Sequence, residues 1–459
     1  MSRNKEKKKE KGENKKDRVD LILSIALILA VGILSFAWSL HLKLIYAPDE
    51  YMRDDIAFWI AEHWTLPTGF EPILINKYWG HSYGFVPYLT SMIAAVFIKI
   101  AQILGFGRAG QQAAMRFVSV LVGMGTAWIG LKLGKELFKG RWGKFLFAGM
   151  ISLVPQMIFL SSYLNNDGIA VAATLWIVYE WVKGIREGWT RRNLLGLGAS
   201  IGLLALTYYN AYGIIPASIY VYFMTNKNEK KKVWKGALVV FLTAFAIAGW
   251  FFVRNALIHE GDFFGLVTLR KSAEMYALEE YKPSNYGTMM KDGYSILDLF
   301  TKTRFVELSF ESFFAVFGHM EFYAEEWVYR AYGILYLPAA VIGLFSTLKD
   351  RKTRQVSIGL VMVFLIPIAL NVYRSWSRDW QPQGRYIMPC IVPLVYWAVH
   401  GYGTLLKPFE NKKLHELLYF LILLAVIVML VIVFRDLILK SCWHDISEMM
   451  EVLDDVGGY

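Results

Sequence analysis

Three short stretches hold side chains whose types suit joint chemistry: PDE at 48–50, LNND at 164–167 and QGRY at 383–386. Asp49 and Glu50 follow directly on a long apolar run. A carboxylate at such an exit is costly to desolvate and usually has a partner or a task. Partial burial there raises its pKa toward the range useful for a general base. The same pair also suits the solvated start of a loop. Asp167 ends a turn with Asn165 and Asn166, so it reads either as a further acid or as the cap of the next helix. Arg385 supplies the complementary charge, because guanidinium grips phosphate at two points without giving up a proton. Its plainer role is to snorkel at headgroup depth. Arg374 and Arg378, in the same short external loop 371–386, carry the same two readings.

Such residues act together only if the chain brings them to one face. Of the 459 residues 56% are hydrophobic and 19% charged, and apolar runs recur from end to end. Runs of about 20 residues are the length that crosses a bilayer as helix. A soluble chain of this length would divide into domains with mixed surfaces, a pattern absent here. The fold class is therefore an all-α polytopic membrane protein. The net charge of +11 sits in short loops between apolar runs, where it sets topology and meets anionic lipid. No basic face interleaved with aromatics occurs, which excludes nucleic acid as a partner. The two cysteines, Cys390 in an apolar run and Cys442 near the C-terminus, suggest neither a disulfide nor a metal spacing. The start MSRNKEKKKEKGENKKDR precedes an apolar run too long for a signal peptide. Residues 1–20 read as a disordered basic cytoplasmic tail, and the run that follows as an uncleaved first span.

Apolar runs fall near 21–45, 85–104, 113–134, 145–163, 168–182, 194–209, 211–225, 236–257, 330–348, 355–372, 385–403 and 414–434. Basic loops lie at 135–144, 183–192, 226–235, 348–354 and 407–413, and the positive-inside rule puts them all in the cytoplasm. That holds only if 85–104, which contains Pro87 and Lys99, lies on the outer leaflet as a juxtamembrane helix. The expected architecture is a bundle of about 11 spans forming one unit at 21–438. Large external loops then cover 46–112 and 258–329, and 439–459 forms a short external tail. Asp49, Glu50, Asp167 and Arg385 all reach the outer side. Asp54, Asp55 and Glu62 read as solvated residues of a loop helix. In RFVELSFESFFAVFGHMEFY (304–323), Phe313, Phe314 and Phe317 suit lipid contact or a packed loop core, with Tyr386 alongside. Glu62, His63, His81 and His319 could be assembled into a metal site, but their spacing does not demand one.

At these residues the chain resembles the C-type glycosyltransferase (GT-C) superfamily, polytopic enzymes related to protein O-mannosyltransferases and aminoarabinose transferases. Within it the order PDE (48–50), NND (165–167), SFFAVFG (312–318) and QGRY (383–386) is similar to a bacterial subfamily with PDE and QGRY motifs. The subfamily often has a histidine soon after PDE. Here Tyr51, Met52 and Arg53 stand there, so no role is carried over for it. The resemblance implies a GT-C-like bundle in the cytoplasmic membrane with its active site on the extracytoplasmic face. It implies a polyprenyl-phosphate sugar donor and a glycan, lipid or protein acceptor. Asp49 would be the general base of an inverting transfer, with Glu50 and Asp167 as further acids and Arg385, Arg378 and Arg374 on the donor phosphate. No cofactor is expected, although a divalent metal serves some members of this class. Two other readings stand beside it: a polysaccharide polymerase or ligase with a lipid-diphosphate donor, and a lipid-linked sugar flippase or transporter. A transporter would carry ionisable groups near the bilayer midplane, where this chain is almost wholly apolar.

Overall fold

In the computed structural model the apolar runs become helices, and residues 2–409 and 411–436 are described, the side chains of 2–16 and 45 excepted. The helices are α1 Ser2–His41, α2 Glu50–His63, α3 Leu89–Ile103, α4 Arg108–Leu137, α5 Arg141–Ser152, α6 Pro155–Leu160 and α7 Asp167–Glu187. After them come α8 Arg191–Ala205, α9 Ile214–Thr225, α10 Lys230–Ile258, α11 Leu266–Tyr276, α12 Ile296–Thr301 and α13 Phe305–Phe314. A two-residue hairpin pairs β1 Val316–Phe317 with β2 Phe322–Tyr323 in antiparallel register. The chain closes with α14 Glu326–Lys349, α15 Arg354–Ser377, α16 Ile391–Leu405 and α17 Lys412–Val433.

Among the described residues seven helices are each long and apolar enough to cross a membrane: α1 (from Asp17), α4, α7, α10, α14, α15 and α17. The chain is a multi-pass integral membrane protein. The other apolar runs of the expected eleven-span scheme form short or interrupted helices. Pro155 splits α5 from α6, α8 is short, and 3-10 segments at Tyr209–Gly213 and Gly384–Cys390 precede α9 and α16. A proline lacks the N–H and crowds the preceding turn, so the helix restarts at it. Helix α3 has 15 residues, about 22 Å at 1.5 Å per residue, short of the bilayer core. It packs instead on α2 and α4.

One expectation is corrected. Helix α1 runs back to Ser2, where a disordered tail was read, consistent with the strong helix propensity of its Lys and Glu residues. Phe313, Phe314 and Phe317, read as suiting either lipid contact or a packed core, are buried. Phe314 stacks on Tyr332 at 4.8 Å, and Phe317 meets Trp38 at 4.9 Å and Phe159 at 5.3 Å. The hairpin segment thus plugs one end of the core. The tail 439–459 and Cys442 lie outside the described residues.

Candidate active site

The exit from α1 ends in Pro48, and Asp49 then adopts the left-handed conformation (φ 62, ψ 5) at the N-cap of α2. Aspartate tolerates that region better than most side chains. Its carboxylate does not cap α2. Oδ2 instead accepts from Arg385 Nη2 at 2.8 Å, with side-chain exposures of 27% for Asp49 and 7% for Arg385. The acid is therefore reachable while the cation is held. Burial pushes the Asp49 carboxyl up, but Arg385 and then Arg53 outweigh it and hold the pKa below the usual carboxylate range. The expected upward shift is thus reversed, and Asp49 is ionised at neutral pH.

Glu50 is committed elsewhere. Arg116 donates to it from Nε at 3.0 Å and from Nη2 at 2.6 Å, and the Leu164 N–H donates at 2.8 Å. Arg116 Nη1 also donates to the carbonyls of Ser39 and Leu42, each at 2.7 Å. Both side chains are buried. This network ties the ends of α1, α2 and α4 to the turn before α7, which makes Glu50 a scaffold residue instead of the second acid expected beside Asp49.

The turn before α7 divides its labour. Asn165 Oδ1 accepts the Gly168 N–H at 3.0 Å and so caps the helix, and its Nδ2 donates to Leu160 O at 2.6 Å. Asn166 accepts from the Thr90 hydroxyl and donates to Pro87 O at 2.9 Å and Thr207 O at 3.0 Å. Asp167 is relieved of capping. It is buried, its Oδ1 has no partner, and it feels the charges of Arg385, Arg53 and Asp49.

QGRY sets Arg385. Gly384 lies so close to α13 that a Cβ would stand 2.2 Å from Phe313 N, and its N–H donates to Ser312 Oγ at 2.7 Å. Arg385 Nε then donates to Gln383 Oε1 at 2.7 Å, and Nη2 donates also to Tyr386 Oη at 3.0 Å. A narrow crevice, about the size of one water, borders Arg385, lined also by Pro48, Gln156, Ser312 and Gln383. Arg374 belongs to the last turn of α15, not to a loop, and its guanidinium lies 5.5 Å from the Tyr386 ring centre. Tyr386 is a buried wall between the two cations. Arg378 is exposed, with no side-chain hydrogen bond or ion pair among the described residues, and is not drawn into the cluster.

Two further corrections concern α2. Asp54 is buried at 4% exposure, with Arg108 Nη2 at 3.7 Å, instead of solvated; burial pushes its pKa up to about 7. Arg53, given no role in the sequence reading, is buried with its guanidinium 4.7 Å from the Tyr83 ring centre. Its position four residues after Asp49 is the signal that places both on one helix face. Among the described residues no group of three or more His, Cys, Asp or Glu is placed to hold a metal ion. His63 and His81 turn to the carbonyls of Trp59 and Trp79, and the site's carboxylates face guanidiniums.

A family model described as "Predicted membrane protein (DUF2142)" matches residues 74–395. No curated protein sequence matches the chain significantly. Among solved structures, ArnT from Cupriavidus metallidurans bound to undecaprenyl phosphate is 14% identical with a TM-score of 0.53, over 90% of this chain and 71% of ArnT. The oligosaccharyltransferase AglB from Archaeoglobus fulgidus, in complex with an inhibitory peptide and a dolichol-phosphate, is 15% identical with a TM-score of 0.52, over 90% of this chain and 55% of AglB. At that identity the likeness establishes a shared GT-C fold.

Proposed function

The chain belongs to the family of predicted membrane proteins designated DUF2142, and on that premise we propose that it is a membrane glycosyltransferase. It moves a hexosyl or pentosyl group from a polyprenyl-phosphate donor to a glycan, lipid or protein acceptor on the extracytoplasmic face of the cytoplasmic membrane. The observation that carries this reading is the Asp49–Arg385 pair, an ionised acid held by a guanidinium beside the unpartnered Asp167 oxygen. Undecaprenyl phosphate on ArnT and dolichol-phosphate on AglB support the donor class.

In the reaction the acceptor O–H or N–H attacks the anomeric carbon while the bond from that carbon to the phosphate oxygen breaks. The proton passes to Asp49, the electron pair leaves on the polyprenyl phosphate, and the anomeric centre inverts. Arg385 stabilises the departing phosphate without a proton transfer. Donor binding also draws Arg385 away from Asp49. A carboxylate relieved of its cation becomes the stronger base. Asp167 accepts a hydrogen bond from the substrate at its free oxygen.

The test is sugar transfer in membranes supplied with radiolabelled polyprenyl-phosphate sugars. Asp49→Asn is expected to lower the rate by about 10²–10⁴-fold while the protein stays folded. Unchanged transfer by that variant would overturn the assignment. Movement of lipid-linked sugar across liposomes, indifferent to Asp49→Asn, would favour a transporter instead.

A further inference from the structure

Two arginines are buried close to the start of α2, and they differ in one respect. Arg116 uses Nε, Nη1 and Nη2 in hydrogen bonds to Glu50, Ser39 and Leu42. Arg53 has no carboxylate within ion-pair distance among the described residues, and its Nη1 is buried without any partner. The Tyr83 ring lies against its guanidinium, at 4.7 Å. A buried guanidinium with an unmet donor is unfavourable unless an acceptor arrives from outside the chain.

The surroundings say which acceptor. Arg53 acts electrostatically on both Asp49 and Asp167, so it shares their space. Its backbone is fixed, since Ser91 Oγ donates to the Arg53 carbonyl at 3.0 Å and ties α2 to α3. Around the site Arg53 and Arg385 both act on the carboxylates of Asp49 and Asp167, whereas Arg374 lies on the far side of the Tyr386 ring. Arg385 Nη2 already holds Asp49 at 2.8 Å, so the unmet Nη1 donor of Arg53 is left for an incoming acceptor, and a guanidinium fork matches phosphate oxygens.

We infer that Arg53 is a second phosphate-binding residue, gripping the polyprenyl phosphate from the α2 side while Arg385 holds it from the QGRY side. The inference rests on the proposed transferase reading. It explains why Arg53 is held against an aromatic ring with a donor free: the Tyr83 face orients the guanidinium by cation–π attraction without occupying its N–H groups. In the reaction Arg53 gives no proton and stabilises the charge that gathers on the leaving phosphate.

The test measures binding of undecaprenyl phosphate to the full-length detergent-solubilised protein, both as a Kd and as the ligand-dependent gain in Tm. Arg53→Gln is expected to weaken binding at least tenfold and to erase most of the Tm gain, with Arg53→Lys intermediate. Arg330→Gln, which removes an exposed arginine paired to Glu326, is expected to bind like the unaltered protein. Should Arg53→Gln not fold, Arg53→Lys decides, because it keeps the charge but loses the planar fork. Tight binding by the unaltered protein together with equal binding by the folded Arg53 variants would overturn the role of Arg53 and leave the transferase reading intact. Failure of the unaltered protein to bind undecaprenyl phosphate would overturn both.

Discussion

Asp49 and Glu50 are adjacent, yet one opens to the site and the other is sealed against Arg116. Their order in PDE marks the place but does not assign the tasks, because the partner that claims Glu50 lies 66 residues away in sequence. Glu50→Gln would leave Arg116 buried and uncompensated, a change that typically costs about 3–5 kcal/mol. Its Tm in detergent is expected to fall sharply, whereas Asp49→Asn, at a part-exposed side chain, is expected to keep the Tm within a few degrees. Asp54 gives a pH prediction. Burial, opposed by Arg108, raises its pKa to about 7, above the unfolded value of about 3.9. Between those values the folded chain holds a proton that the unfolded chain has released, so the stability this group contributes is lost as pH rises toward 7. Asp54→Asn is expected to flatten the fall in Tm between pH 5 and 8, and to unfold at a higher temperature than the unaltered protein at pH 8. A Tm profile parallel to that of the unaltered protein would count against it. Nothing in the local sequence marks Asp54 as buried. Its cation, Arg108, comes from the start of α4.

At the scale of elements, helix existence was legible because long apolar runs have few alternatives in lipid. The ends were less so. The segment 371–386 read as a loop, but no helix breaker occurs before Pro382, and α15 continues to Ser377. The aromatic segment 312–318 was compatible with lipid or core, and only the depth of Trp38 and Phe159 beneath it decides for core. Glycine requirements were equally hidden. Helices α14 and α16 approach so closely that a Cβ on Gly401 would stand 1.8 Å from Ala339 O, and one on Gly343 1.7 Å from Trp397 O. These obstacles are backbone atoms, which cannot rotate away. Gly401→Ala is therefore expected to force the helices apart and lower the Tm or the folded yield, by about 1–3 kcal/mol or more. Gly384→Ala is expected to disturb Arg385 as well, because the clash is with the α13 backbone at Phe313. It should weaken undecaprenyl phosphate binding in step with stability.

For the whole molecule, the contacts set a condition on the topology. Asp49 at the end of α1, the turn before α7 and Arg385 before α16 are joined through Arg385–Asp49 and Leu164–Glu50 bonds. Three chain ends in mutual contact must lie on one side of the bilayer, as the alternation of basic loops requires. Single cysteines introduced at the exposed positions Lys232 and Glu279 are expected to react with an impermeant thiol reagent from opposite sides, Glu279→Cys from outside. Labelling of both from the same side would break the eleven-span scheme. The most direct measurement of the central claim is a structure of the protein with undecaprenyl phosphate bound. The account predicts phosphate density against Arg385 and Arg53, with the 2.8 Å contact between Arg385 and Asp49 lengthened. Phosphate bound elsewhere, with the Arg385–Asp49 pair intact, would contradict it.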